Sequence, residues 1–346
     1  MKTERKAPFI VWMCGAAAVI LSAAALILSL DGRNEQAVVF YVGTYGNNIY
    51  RYEFDPEGPE FRLQATAEAA DASYVLSVQD PEGEKIFAVS ERGAGSGAYS
   101  FVYDEGLKLS ADKRQTGADP CFVLLTGDEE KRFMMTADYS GGSISVFPVC
   151  DGVIADCSQR ICFEGNGPVS GRQESSHIHQ LKELPSCDGS KWILASDLGA
   201  DRIRVLRFEN ETCSLTHVSD IDCPAGSGPR HMEFSKDGNM LYCIAELSGE
   251  VLVYEMTCGN EMPAFRLVQQ IMADEADAGG SADIHIHPEG KWLYTSHRLI
   301  NDGISIFNIK EDGKLEKTGY AEIGNMAFDE FGNVVFADQY TFAATN

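Results

Sequence analysis

Seven similar stretches of the chain carry a polar or charged residue at one shared position, and these residue types could transfer protons or bind anions. Each stretch has an apolar strand pattern, a short polar turn and an alternating strand pattern. The residue that ends the first pattern is, in chain order, Thr44, Glu91, Asp138, Asp197, Glu246, His297 and Asp338. Carboxylate and imidazole groups act as general acids and bases, and the adjacent Arg92 and Arg298 can bind carboxylate or phosphate groups. If the repeats surround one axis, this position forms a ring, and we expect function there.

The repeats predict a β-propeller. Each polar position lies within a β-hairpin pattern, and turn residues such as Asp-Gly and Pro-Glu-Gly close a further strand before it. A more variable fourth strand follows, and the units recur about every 45–55 residues. We count a partial unit over 37–72, five full units and a last unit that stops at Asn346. The predicted fold class is all-β: a seven-bladed β-propeller with four-stranded antiparallel blades and an incomplete last blade.

A second set of side chains is predicted beside the first. Successive strands of a blade are antiparallel, so the start of the first strand and the end of the second lie on one face of the disc. The starts of the first strands align Tyr74, Cys121, His179, Arg230, Ala282 and Gly324. Both sets are expected to converge on one pocket beside the central channel.

The first 36 residues are predicted to be a separate segment, with the propeller over 37–346. Lys2, Arg5 and Lys6 precede an uncharged run from Ala7 to Leu30, which is long enough to span a bilayer as a helix. Basic residues before the run and acidic residues after it favour a propeller outside the cytoplasm. We therefore expect an N-terminal membrane anchor. Cleavage as a signal peptide and a cytoplasmic body are the alternatives.

The charge of the chain excludes one class of partner. The formal net charge is −24 at pH 7, and so acidic a body repels nucleic acid and anionic lipid surfaces. No CxxC pair occurs, so a cysteine zinc site is not expected. We predict no cofactor and no metal. The predicted partner is a small molecule, and the predicted state is a monomer.

The motifs resemble those of a known family. YVGTY, TADYSGGSISVFPV, RQESSHIHQ, GSGPRHMEF, CIAEL and SADIHIHPEGKWLYTSHR occur in this order. The chain is similar to the seven-bladed lactonase family, which includes propeller-type 6-phosphogluconolactonases and carboxymuconate lactonizing enzymes. The resemblance implies that the catalytic residues are His179, Arg230, Glu246 and Arg298. The candidate substrate-binding residues are His177, Glu91, Arg92, Asp197 and His297.

The implied function is hydrolysis of a sugar-acid lactone. His179 or Glu246 would activate water, and arginine would stabilise the oxyanion. The alternatives are a carboxymuconate-type cyclase and a non-catalytic exported propeller that binds a glycan or protein. A salt bridge between Glu246 and Arg298 without catalytic duty also remains open, as does a structural role for Asp138 and Asp197.

Overall fold

The computed structural model describes residues 38–55, 60–128, 131–185, 189–258, 262–276, 278–300, 302–322, 326–328 and 334–337. Within these ranges the chain is built of antiparallel strands, with two short 3-10 helices at Gly93–Gly95 and Leu198–Ala200. The predicted anchor over 1–36 lies outside the described residues. No helix within the described ranges is long and apolar enough to cross a membrane.

The described strands form seven sheets that follow one another along the chain. The first holds β1 (Val38–Val42), β2 (Asn48–Asp55) and β3 (Glu60–Glu68). The second holds β4 (Val75–Asp80), β5 (Gly83–Ser90), β6 (Gly97–Tyr103) and β7 (Leu107–Leu109). The third holds β8 (Pro120–Gly127), β9 (Arg132–Asp138), β10 (Ser143–Cys150), β11 (Val153–Ile154) and β12 (Gln159–Cys162).

The remaining sheets continue this arrangement. The fourth holds β13 (Ile178–Glu183), β14 (Lys191–Asp197), β15 (Arg202–Glu209) and β16 (Ser214–Asp222). The fifth holds β17 (Pro229–Phe234), β18 (Met240–Ala245), β19 (Glu250–Cys258) and β20 (Pro263–Met272). The sixth holds β21 (Ser281–Ile286), β22 (Trp292–His297), β23 (Gly303–Ile309) and β24 (Leu315–Glu322), and the seventh β25 (Met326–Phe328) and β26 (Val334–Ala337).

Apolar side chains pack between each pair of consecutive sheets from the first to the sixth. Phe87 of the second sheet, for example, packs with Met134 and Phe147 of the third, and Tyr242 of the fifth packs with Phe307 of the sixth. The second strands β9, β14 and β18 are buried along almost their whole length, because each sheet is covered on both faces. Sheets stacked in chain order in this way form a β-propeller, so the predicted fold class is confirmed at that level.

The cysteines do not form a dense disulfide framework within the described residues. Seven carry free thiols: Cys121, Cys150, Cys157, Cys162, Cys213, Cys223 and Cys243. Cys258 is disulfide-bonded. The propeller core therefore depends mainly on the apolar contacts between sheets.

Candidate functional site

A β-bulge near the start of the innermost strand aims one side chain at the centre of the disc. Cys121, His179 and Arg230 are each the extra residue at a register shift in the third, fourth and fifth sheets. Ala282 occupies the same place at the register shift of the sixth sheet. Bulges redirect side chains in this way at many active sites. Ser73 precedes β4 at the equivalent position of the second sheet, where β4 and β5 pair without a register shift. We call the five residues Ser73, Cys121, His179, Arg230 and Ala282 the bulge ring.

A repeated backbone hydrogen bond defines a second ring above it. In five sheets the residue after the second strand donates its N–H to the carbonyl two residues before the bulge-ring position. The bonds run from Glu91 to Asp71 (2.9 Å), Tyr139 to Asp119 (2.8 Å), Leu198 to His177 (2.9 Å), Glu246 to Gly228 (2.8 Å) and Arg298 to Gly280 (3.3 Å). We call the five donors, Glu91, Tyr139, Leu198, Glu246 and Arg298, the mouth ring.

The polar residues that the sequence analysis aligned at one position occupy two successive positions in the structure. Glu91 and Glu246 belong to the mouth ring, but Asp138, Asp197 and His297 lie one residue earlier, at the end of the second strand. The predicted slot Asp338 lies outside the described residues. The position at the end of the second strand is 0% exposed in all five sheets, at Ser90, Asp138, Asp197, Ala245 and His297. Because strand side chains alternate between faces, a slip of one residue turns the side chain away from the channel. By the same register, Ser73 replaces the predicted Tyr74.

Three arginines converge on one carboxylate at the mouth. Arg230 Nε lies 2.7 Å from Glu246 Oε2, Arg172 Nη2 lies 2.6 Å from Oε1, and Arg298 Nη2 lies 3.4 Å from Oε2. The Glu246 side chain is only 5% exposed. Burial opposes its ionisation, but Arg230, Arg298 and Arg172 outweigh burial and hold the pKa of Glu246 below its ordinary value. Glu246 is therefore an anion fixed among cations.

His179 lies buried beside these arginines. Burial lowers the pKa of His179 well below its ordinary value, and Arg230, His231 and Arg298 lower it further. Its Nδ1 is 3.8 Å from the sulfur of Cys121, and its ring contacts Tyr139 edge-on at 5.6 Å. The imidazole is therefore neutral at pH 7 and adds no charge to the cluster.

Glu91 has surroundings of a different kind. Burial raises the pKa of Glu91, and the hydroxyl group of Tyr45 opposes that rise in part. The Tyr45 hydroxyl donates to Glu91 Oε2 at 2.9 Å, although Tyr45 itself is 60% exposed. The mouth thus contains two carboxylates. Arginines favour the ionised form of Glu246, and burial favours the neutral form of Glu91.

Residues that directly follow the bulge-ring positions, among them Tyr74, Phe122, His231 and Asp283, form a second layer of packed side chains. Tyr74 packs on Phe122 with ring centroids 4.5 Å apart, and Phe122 contacts His231 at 5.7 Å. His231 Nδ1 lies 2.7 Å from Asp283 Oδ1, and Asp283 Oδ2 lies 3.1 Å from Nε2 of His285. The described residues contain no group of three His, Cys, Asp or Glu side chains that could hold a metal ion.

The structure brings only part of the predicted substrate-binding set to the mouth. The His177 ring stacks on Tyr139 at 4.4 Å, and its Nδ1 lies 2.9 Å from the Tyr139 carbonyl oxygen. Glu91 lies in the mouth ring, as described above. Arg92 instead pairs with Asp71 at 3.3 Å, and its side chain is 59% exposed.

Asp197 and His297 have partners inside the protein. Asp197 accepts hydrogen bonds from the Ser176 hydroxyl, the His177 N–H and two nitrogens of Arg204, at 2.6–3.0 Å. His297 lies 2.9 Å from the hydroxyl groups of both Ser281 and Thr295. Both side chains therefore have hydrogen-bond partners inside the protein, and neither contacts the Glu246 carboxylate.

Three side chains at the mouth were not predicted from sequence. Arg172 comes from the loop before the fourth sheet, Tyr45 from the turn after β1, and Tyr139 directly follows a slot residue. Arg172 belongs to the RQESSHIHQ motif, so the motif carried a signal for it. Tyr139 would have followed from a correct strand register.

Comparison with known proteins identifies the family. The chain matches the family model described as Lactonase, 7-bladed beta-propeller over residues 39–339. A 6-phosphogluconolactonase of Formosa agariphila is 30% identical over 87% of this chain and 89% of that protein. The corresponding enzyme of Bacillus subtilis is 27% identical over 78% of this chain and 77% of that protein.

Solved structures give the same result. A candidate 6-phosphogluconolactonase of Bacteroides fragilis is 33% identical, with a TM-score of 0.74 and coverage of 87% of each chain. A periplasmic gluconolactonase of Pseudomonas aeruginosa is 26% identical, with a TM-score of 0.72 over 86% of this chain and 87% of that one. The predicted family and its lactone hydrolase class are thus confirmed. With a family match over most of its length and a relative at 30% identity, the chain belongs to the lactonase family of seven-bladed β-propellers.

Proposed function

We propose that the protein hydrolyses the lactone of a sugar acid at the mouth of its propeller. The observation that carries the proposal is the convergence of Arg172, Arg230 and Arg298 on the single carboxylate of Glu246. Three guanidinium groups and one carboxylate leave positive charge uncompensated in a partly buried site. That charge suits the oxyanion of a tetrahedral intermediate. The names of the relatives, which include 6-phosphogluconolactonases, support the same reaction.

The environments of the side chains suggest a role in catalysis for each of them. Arg230 and Arg298 would hold the carbonyl oxygen and stabilise the negative charge that develops on it. Glu246 is a weak proton acceptor because its charge is stabilised by three cations, so its role would be to position the guanidinium groups. Neutral His179, beside Arg230, would hydrogen-bond the attacking water or the ring oxygen of the lactone.

The test is a panel of lactones with the purified full-length chain. D-Gluconolactone and its 6-phosphate would be assayed above the spontaneous rate of hydrolysis. The Arg230→Ala variant should lose the excess rate, whereas Arg266→Ala should retain it, because Arg266 is an exposed residue of β20, the outermost strand of the fifth sheet, and pairs with Glu255. Full activity of Arg230→Ala, or no excess hydrolysis of any lactone by the wild type, contradicts the proposal.

The three arginines also suit a substrate with several carboxylates, so a carboxymuconate-type cyclase is the second candidate. The same panel should therefore include carboxymuconate and its lactone. Interconversion of these two compounds without hydrolysis of sugar lactones would favour the cyclase.

We further propose that the N-terminal segment anchors the protein with the propeller outside the cytoplasm. The uncharged run from Ala7 to Leu30 and the basic residues before it support this topology. The name of the Pseudomonas aeruginosa relative, a periplasmic gluconolactonase, agrees with it. Digestion of the propeller by protease added to intact cells or spheroplasts is expected, and full protection there would contradict the proposal.

A further inference from the structure

We propose that Glu91 is the general base of lactone hydrolysis, with Tyr45 as its hydrogen-bond partner; this inference rests on the proposed function. Glu91 and Glu246 make the same backbone hydrogen bond in the second and fifth sheets. They therefore lie at the same depth in the mouth ring, three sheets apart around the channel. Two carboxylates face a common space from different sides.

The two carboxylates differ in their surroundings and in the direction of their pKa shifts. Glu246 contacts three arginines, whereas Glu91 forms no ion pair with any described residue and accepts its hydrogen bond from the neutral Tyr45 hydroxyl. Burial raises the pKa of Glu91, while the arginines lower that of Glu246. When the environment moves the pKa values of two groups in one site in opposite directions, the group with the raised pKa is suited to proton transfer. The other is suited to electrostatic support.

The bulge ring carries its smaller side chains on the side of Glu91. Its members in the second, third and sixth sheets are small: Ser73, Cys121 and Ala282. The two large members, His179 and Arg230, come from the fourth and fifth sheets. A lactone whose carbonyl oxygen binds Arg230 would thus lie over the small residues. Its carbonyl carbon would face a water molecule held by Glu91.

The step balances without any further reactant. As the water oxygen bonds to the carbonyl carbon, Glu91 takes one proton from the water, and the carbonyl oxygen becomes an oxyanion beside Arg230 and Arg298. The bond between the carbonyl carbon and the ring oxygen then breaks. Glu91 returns the proton to that oxygen, which gives a hydroxyl group and a carboxylic acid.

The experiment compares Glu91→Gln, Tyr45→Phe and the control Glu289→Gln in the full-length chain with D-gluconolactone. Glu289 is an exposed glutamate paired with Lys291, so its variant should match the wild type. Glu91→Gln should lower kcat/KM by about 100- to 10,000-fold. Its affinity for gluconate should change little. Tyr45→Phe should move the acid limb of the kcat/KM profile to higher pH, because its hydroxyl favours the ionised form of Glu91.

Each result decides one point. If Glu91→Gln keeps wild-type kcat/KM while the wild type is active, Glu91 is not the base, and loss of the acid limb in His179→Ala would assign that role to His179. If the acid limb of the kcat/KM profile of Tyr45→Phe lies at the same pH as in the wild type, Tyr45 has no role in the proposal. If the wild type hydrolyses no sugar lactone, the proposed function fails, and the role of Glu91 fails with it. Gluconate binding and thermal unfolding show whether Glu91→Gln is folded.

Discussion

Arg230 and Glu246 form a buried ion pair within one sheet, with Nε and Oε2 2.7 Å apart. Arg230 is the bulge residue of β17, and Glu246 directly follows β18, so a single hairpin of the fifth sheet assembles the pair. Arg172 reaches the same carboxylate from the loop before the fourth sheet, and Arg298 reaches it from directly after β22 of the sixth sheet. The position of the cationic site therefore depends on local strand geometry, and only its charge depends on neighbouring sheets.

Replacing Arg230 by lysine should reduce kcat/KM by roughly 100- to 1,000-fold, as the loss of one oxyanion donor does in other enzymes. Lysine keeps the charge but cannot contact both Glu246 and the Ala282 carbonyl, to which Arg230 Nη1 also donates at 2.5 Å. Steady-state kinetics on the best lactone of the panel would test this. Near-normal rates in Arg230→Lys would show that charge alone suffices.

Replacing Glu246 by glutamine should destabilise the fold by on the order of 3 kcal/mol, because it leaves the buried guanidinium group of Arg230 without its counter-charge. Urea unfolding at pH 7 measures the loss. If Glu246 is a support rather than a base, the acid limb of the variant's pH profile should stay where it is in the wild type. Disappearance of that limb would transfer the role of base to Glu246.

Asp197 should matter for stability rather than for substrate binding. Asp197→Ala removes the acceptor for two nitrogens of Arg204, whose side chain is 4% exposed, so a loss of about 3–5 kcal/mol is expected. Asp222→Ala is the matched control, because Asp222 is 87% exposed in its pair with Arg202. A large rise in KM with unchanged stability in Asp197→Ala would restore the substrate-binding role.

The stability of the fold should depend on His297 between about pH 4 and 6.5. Burial lowers the pKa of His297 from 6.5 to about 4, so the unfolded chain binds its proton first as the pH falls. The stabilisation is complete above pH 6.5 and is lost as the pH falls through 4, amounting to about 3 kcal/mol at most. His297→Asn should flatten the urea midpoint over this window. An unchanged pH dependence would show that other groups cause it.

The sequence predicted the repeat, the strand pairs and the central location of the site because alternation and turn residues are local signals. It misplaced Asp138, Asp197 and His297 because alignment on polar identity cannot detect a shift of one residue. Glu91 and Glu246 are one position further on than those residues, and only the backbone hydrogen bonds establish this. The bulges at Cys121, His179 and Arg230 carry no residue signature, so the sequence could not reveal why these side chains reach the centre.

Arg172 and Tyr45 escaped prediction for another reason. Both lie in connections between strands, and their contacts with Glu246 and Glu91 join residues separated by 74 and 46 positions. Such pairings depend on how separate sheets are arranged around the axis, which strand periodicity does not encode. Arg172 does occur in the family motif RQESSHIHQ, but the motif did not indicate what this residue does.

The register shift that recurs near the start of the innermost strand in the third to sixth sheets makes the chemistry of this protein modular. Each of these four sheets presents one side chain to the channel from outside the regular strand pairing, and Ala282 is the smallest of the four. A new functional group could be installed there by a single codon change. The same scaffold can thus acquire a different substrate preference while the stacked sheets that support it stay unaltered.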